Sequence, residues 1–398
     1  MARKMVFALA LAAGLGAMVA GAEAQQPVKI GVPLPLSGPN AQFGINIRNG
    51  LELALSDINA AGGIKSLGGA KVELVYADVP APNAAGAAAQ RLLSQDQVVG
   101  LIGSFVSSIT LAVSEVSERA GVPMITHSFA DQITERGYKY IFQVSPKASR
   151  FGKDQFGYAV AIGKKAGVDV KKVAILYEDT AYGTAQAKGL REAAKAAGIE
   201  IIVDEGYPLG ITDVAPLVNK IRATNPDIVF PVSYFHDALL ILRTMRQQQI
   251  DVPAVGGAAG YIIAEFEKGL GPYADGVFSI APANYDAAPE INARYKAKYG
   301  SFIPHEALMY PAALEHLVRA IDLAGSRDPE AIRDAVAKLR YCEGFAKALP
   351  GGCTAFDAKG LTSVATPVLV QWRGDGLDTV YPDAAAKAKP RWKGKTVD

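Results

Sequence analysis

Short apolar runs alternate with longer amphipathic stretches along almost the whole of this chain, and that rhythm restricts its fold more than any other feature. "VKIGVPLP", from Val28, is followed by a helical stretch from Phe43 to about Ala61. "KVELVYAD" leads to "AAGAAAQRLLSQ", "VVGLIG" leads to "LAVSEVSERA", and "VPMITH" follows. Strands separated by helices of this length cannot pair as tight hairpins. They build a parallel, doubly wound sheet with helices on both faces. The rhythm then restarts. "YIFQVSP" opens onto a helix near Phe151–Lys164, and "KVAILYED", "IEIIVDEGYP" and "PDIVFPVSY" each precede a helical pattern. After "VPAVGG" come "GVFSIAP" and helices around Ala288–Tyr299, Glu306–Ala324 and Pro329–Leu339. Two βα series with no polar linker between them predict two Rossmann-like α/β lobes joined by direct crossovers.

The first residues have a different character. Arg3 and Lys4 precede an uncharged run from Met5 to Gly21, and Ala22-Glu23-Ala24 offers small residues at both recognition positions. This is the pattern of a secretory signal peptide over residues 1–24, cut before Gln25. With no cysteine near the cut and no second hydrophobic segment, the expectation is a protein free in the periplasm. Removing Arg3, Lys4 and Glu23 from 41 basic and 39 acidic residues leaves a net charge near +1. That balance carries no electrostatic footprint for nucleic acid or an anionic membrane. The two cysteines, Cys342 and Cys353, are expected to pair in an oxidising compartment, because they lack the further ligands a zinc site needs.

Open parallel sheets bind ligands where strand ends meet helix N-termini. The loops there are "PLSGPNAQFG", "ADVPAPN", "GSFVSS", "THSFADQ", "YEDTAYG", "SYFHDA" and "GGAAGY". In "GSFVSS", the hydroxyls of Ser104, Ser107 and Ser108 stand beside the free N–H groups of a helix start, a combination suited to a carboxylate. Simple N-capping by Ser107 or Ser108 explains the same residues. In "THSFAD", Thr126, His127 and Ser128 end the next strand, and His127 either donates to an anion or caps a buried carbonyl. Phe43, Tyr182 and Tyr234 put a ring in three of these loops, as walls of an apolar pocket would. His127, His236, His305 and His316 are scattered, and His305-Glu306 has no second histidine at metal spacing, so neither a catalytic triad nor a metal site assembles. No phosphate-binding glycine motif is present, and no cofactor is expected.

The stretch "IGVPLPLSGPNAQFGINIRNGLELALSDINAAGGI" resembles the opening of the leucine/isoleucine/valine-binding family of periplasmic solute-binding proteins. "VVGLIGSFVSSITLAVSEVSERAGVPMIT", "RGYKYIFQV", "VAILYEDTAYG" and "FDAKG" are similar to the family in the same order. The resemblance implies a type I periplasmic binding fold: two lobes joined by three crossover strands, a solute in the cleft, and docking on the permease of an ABC importer. The sequence does not mark an oligomeric state, and a monomer is the default for a shuttle that must present both lobes. It places the first lobe at residues 25–145 and 279–361, and the second at 146–278 and 362–398. It also implies that Ser107 or its neighbour meets the ligand carboxylate, with groups over Thr126–Ala130 contributing and Phe43, Tyr182 and Tyr234 as walls.

Two departures from the family bear on the ligand. Amino-acid binders carry an acid after the "VPAVGG" strand to neutralise an ammonium, and here that position is Ala258. "THSFAD" is one residue shorter than the pattern, with His127 where a small residue or proline is common. An unpaired ammonium in a closed cleft is costly, so the expected ligand is an aromatic or other apolar carboxylic acid. If Asp237 or Glu306 takes over from the missing acid, a branched-chain amino acid returns as ligand. An exported α/β hydrolase and a sensor sharing the fold are the competing functions.

Overall fold

A computed structural model describes residues 26–398; the leader expected over 1–24 lies outside the described residues. The chain opens with β1 (Val28–Leu34), α1 (Ala41–Ala60), β2 (Val72–Asp78), α2 (Pro82–Ser94), β3 (Leu101–Ile102), α3 (Ser107–Ala120), β4 (Met124–Thr126) and β5 (Ile141–Gln143). The five strands form a parallel sheet in the order β2-β1-β3-β4-β5. β1 is almost wholly buried along its length because helices cover both faces, which is why its sequence is continuously apolar instead of alternating.

The second series runs α4 (Ala148–Lys165), β6 (Lys172–Glu178), α5 (Ala181–Ala197), β7 (Glu200–Tyr207), α6 (Ala215–Thr224), β8 (Ile228–Val232), α7 (Phe235–Gln247), β9 (Val255–Gly256), α8 (Ala264–Leu270) and β10 (Phe278–Ala281). The chain then adds α9 (Pro289–Tyr299), α10 (His305–Ala324) and α11 (Pro329–Lys338). It closes with β11 (Val368–Arg373), β12 (Gly376–Tyr381) and a small hairpin of β13 (Arg391–Trp392) and β14 (Lys395–Thr396). β7, β6 and β8 are parallel. A parallel bridge from Val229 to Ala254 links β8 to the segment leading into β9. β9 and β10 are parallel, and β11 and β12 finish the sheet antiparallel.

The chain therefore crosses between the sheets three times, after β5, after β10 and before β11. Leu361, just ahead of the last crossing, bridges Gln143 at the edge of the first sheet. Sequence reading opened the return segment at residue 279, but Ser279 pairs with Gly256 and Val370 inside the second sheet. The strand is completed before the chain crosses, so the boundary falls after Ala281.

One helix contact sets the site. α10, from the return segment, packs on α1, and the approach is so close that a Cβ on Gly50 would lie 2.5 Å from the carbonyl oxygen of Ala307. That contact brings the start of α10, with His305 and Glu306, against Asn46 of α1. Cys342 and Cys353 form a disulfide beside an antiparallel bridge from Tyr341 to Thr354.

Candidate functional site

The carboxyl ends of both sheets converge on one buried cluster. After β3 the backbone turns through Phe105, whose φ is 72°, and α3 begins at Ser107. This left-handed conformation is sparsely populated for a bulky residue and is held by its neighbours. The Phe105 N–H donates to the Tyr310 hydroxyl at 2.7 Å, and its carbonyl accepts from Ser128 Oγ at 2.9 Å. Val106, not a serine, occupies the N-cap, and no side chain caps the helix. Ser107 Oγ instead accepts from the Ala130 N–H at 3.2 Å, and the Ser107 N–H donates to Tyr234 Oη at 3.4 Å. The capping explanation for these serines therefore fails. Two backbone donors, on Ser107 and Ala130, converge at the start of a helix and are held only by long bonds.

Thr126 and Ser128 serve the loop itself. Their hydroxyls are 3.0 Å apart, and Ser128 Oγ also lies 2.5 Å from Thr110 Oγ1. Ser108 lies to the other side, on a cavity of about 430 Å³ shared with Pro39, Pro82, Leu209, Tyr234 and Asp237.

Six rings close a circuit behind Ser107. Phe43 stacks on Phe105 with centroids 4.4 Å apart, and Phe105 lies 6.0 Å from His305. His305 lies 6.5 Å from Phe129, Phe129 lies 5.8 Å from Tyr182, and Tyr182 lies 5.2 Å from Tyr234. Tyr234 returns to Phe43 at 6.2 Å. His127 backs this circuit, 4.9 Å from Phe129 and 5.2 Å from His305. All seven side chains are buried. Phe43, Tyr182 and Tyr234 are thus neighbours in the fold. Phe105 and Phe129 lay unremarked inside quoted loops. His305 joins from 178 residues beyond its partner His127, a distance over which the sequence carries no local signal.

Burial shifts the titratable groups of this region toward their neutral forms. His127 Nε2 and His305 Nδ1 share a hydrogen bond of 3.0 Å. Burial, followed by the neighbouring His305, holds His127 well below its ordinary value, and burial alone lowers His305 to about 3. Glu306 Oε2 stands 3.2 Å from His305 Nε2, but burial pushes this carboxyl up to about 8, so the two do not form an ion pair at pH 7. Its Oε1 accepts from Asn46 Nδ2 at 2.9 Å. Glu178 is raised by burial and spends both oxygens on the backbone N–H groups of Thr180 and Gly183. Asp237, raised to about 6 by burial, accepts from Gly210 N and faces the outer cavity.

The "GGAAGY" loop completes the second-sheet wall. Tyr182 Oη donates to the Gly257 carbonyl, and Ala258 follows with φ 72°. No acid stands at Ala258, as read from the sequence.

The sequence profile described as periplasmic binding protein matches residues 27–376. The chain belongs to that family. A Leu/Ile/Val-binding protein homolog of Brucella melitensis is 35% identical over 381 residues, covering 92% of this chain and 93% of the relative. The crystal structure of LivJ, the branched-chain amino acid transporter substrate-binding protein of Streptococcus pneumoniae, was solved in complex with isoleucine. It is 27% identical with a TM-score of 0.79, covering 90% of this chain and all of that one. A solute-binding protein of an R. palustris ABC transporter, in complex with benzoate, is 21% identical with a TM-score of 0.78. That match covers 91% of this chain and 99% of that one, and it establishes a shared fold alone. The family and these neighbours are solute-binding proteins, which gives the hydrolase reading no support.

Proposed function

We propose that this periplasmic solute-binding protein of an ABC importer carries an aromatic or other apolar carboxylic acid that has no α-ammonium group. The carrying observation is a circuit of six buried rings beside two weakly held backbone donors, where Glu306 is neutral and Glu178 is spent on backbone N–H groups, while Asp237, ionised at pH 7, faces the outer cavity. The carboxylate is assigned to the N–H groups of Ser107 and Ala130 and the Ser107 hydroxyl, where the α3 dipole favours negative charge. The apolar body is assigned to Phe43, Phe105, Phe129, Tyr182 and Tyr234. His127, read from the sequence as a partner for the anion, supplies no charge because it is neutral. The lobes are taken as residues 25–145 with 282–361, and 146–281 with 362–398. The leader is removed, and the mature protein presents both lobes to the permease as a monomer.

A second reading rests on Glu306 Oε2, which is buried without a hydrogen-bond partner. Were it ionised by a ligand ammonium, leucine or valine would bind. Isothermal titration of protein unfolded and refolded to strip carried-over solute separates the two. Heat with benzoate-like acids and none with leucine supports the proposal; leucine displacing aromatic acids overturns it.

A further inference from the structure

The outer cavity, of about 430 Å³, lies between the two halves of the fold and shares only Tyr234 with the ring circuit. Pro82, Val106 and Ile109 wall it from the first half, and Leu209 and Tyr234 from the second. The lining is mostly apolar, and the volume is that of a small-molecule site. Leu209 is also one of three large apolar side chains left exposed among the described residues. Walls of this kind gain from an apolar body that displaces water.

Asp237 breaks the pattern. It stands in the first turn of α7, three positions after Tyr234, lines the cavity and is only 1% exposed. It accepts one hydrogen bond, from the Gly210 N–H at 3.3 Å, and no lysine, arginine or histidine pairs with it among the described residues. Buried acids are ordinarily paired. A first-turn acid suits the helix dipole, but the dipole favours a carboxylate left in water as well and does not account for burial beside apolar walls. Burial raises this carboxyl to about 6, so it is mainly ionised at pH 7. Besides Asp237 and the Tyr234 phenol, His236 is the one lining group that titrates. The Tyr207 and Tyr261 phenols near Asp237 are pushed up by burial and stay neutral, as does Tyr234.

We propose that the outer cavity is a second ligand site, which binds a small organic cation: an ammonium group on an apolar, ring-sized body, with Asp237 as its counter-ion. The ammonium gives the buried carboxylate the charge-assisted partner that the chain does not supply, and the body covers the apolar walls. The site uses neither the Ser107 nor the Ala130 N–H and stands independently of the carboxylate reading.

The test titrates benzylammonium and its uncharged counterpart, benzyl alcohol, calorimetrically into the refolded mature protein. At pH 7 benzylammonium is expected to bind about tenfold or more tighter than benzyl alcohol. In Asp237→Asn, which keeps the shape of the side chain, that ratio falls to within about threefold. The wild-type pH profile is a second measurement that needs no variant. A proton and the cation compete for Asp237, so benzylammonium affinity should hold between pH 8 and 7 and drop about tenfold from pH 7 to 5, with benzyl alcohol level throughout. Protonation of His236 would weaken cation binding in the same direction, so the profile is repeated in His236→Gln, where the drop should persist. Equal affinity for the two probes overturns the inference, as does an unchanged ratio in Asp237→Asn or a pH drop that vanishes in His236→Gln. Absence of heat with benzylammonium at millimolar concentration also overturns it. The comparison of benzoate-like acids with leucine tests the carboxylate reading separately, so the two fail independently.

Discussion

Ser107 and Ser108 are adjacent in sequence and face different surroundings. Ser107 is buried with its hydroxyl on the Ala130 N–H, whereas Ser108 borders the outer cavity. Ser107→Ala leaves a buried donor unpaired at the proposed carboxylate position, which costs on the order of 1–3 kcal/mol. The expected result is at least a tenfold loss of ligand affinity by calorimetry, with Ser108→Ala within about threefold of the wild type. The sequence showed that hydroxyls and a helix start coincide here. It did not show which serine faces the cleft, because that depends on the turn at Phe105. Glu306 supplies a second prediction at this scale. Its carboxyl is raised from an ordinary 4.5 to about 8, so the stability it lends is fully present below pH 4.5 and is lost as pH rises through about 8. Glutamine mimics the protonated acid. Glu306→Gln should melt like the wild type near pH 4.5 and progressively higher above it, by several degrees at pH 9. Glu315, also raised to about 8 by burial, leaves both proteins a residual alkaline loss. His305, lowered to about 3, acts oppositely: its contribution is present above 6.5 and fades as pH falls through about 3. An unchanged melting difference from pH 5 to 9 would show that Glu306 is ionised in the fold.

At the scale of elements, most of the chain was legible. The expected helix from Phe43 to about Ala61 is α1, Ala41–Ala60, and the one at Pro329–Leu339 is α11, Pro329–Lys338. Apolar periodicity marks such segments because one face is buried along their whole length. The two-residue strands β3 and β9 show why the loops were harder: so little of each is regular that the backbone beyond it is set by tertiary contacts. Of α10, the sequence offered only Glu306 as a replacement acid; the place of His305 was not legible, since it depends on α10 lying against α1. Gly50 permits that approach. Gly50→Val forces its branched Cβ onto the Ala307 backbone, where neither helix has a flexible atom to move. The expected cost is about 1–3 kcal/mol or more from overpacking. Because the shift separates Asn46 from Glu306 and moves His305, ligand affinity should fall together with melting temperature. A variant that melts lower but binds normally would show that α10 holds its first turn independently of α1.

The whole molecule divides the site between its two halves. Phe43, Phe105, Ser107, His127 and His305 come from elements around the first sheet, and Tyr182, Tyr234 and Ala258 from elements around the second. Across the division, Phe43 and Phe129 meet Tyr234 and Tyr182 ring to ring, and the Ser107 N–H donates to Tyr234 Oη at a long 3.4 Å. Net bonds of this kind stabilise by only about 1 kcal/mol, and a buried ring surface left to water is unfavourable by roughly 25 cal/mol per Å². In the proposed complex, a solute set against these rings would join the halves through apolar contact and replace that long bond with a charge-assisted one. The three crossings can serve as a hinge, because few residues need to change conformation for two packed halves to rotate as units. Saturating ligand should therefore reduce the radius of gyration measured by small-angle scattering. It should also raise the unfolding free energy by about 2.7 kcal/mol at a hundredfold excess over Kd. Tyr234→Phe removes the direct bond but keeps the ring, so the ligand-free protein should loosen while ligand-driven compaction survives. Stabilisation without any change in the radius would mean that the halves are already locked together when empty. Discrimination among solutes would then come from the rings and backbone donors of a preformed site, not from closure.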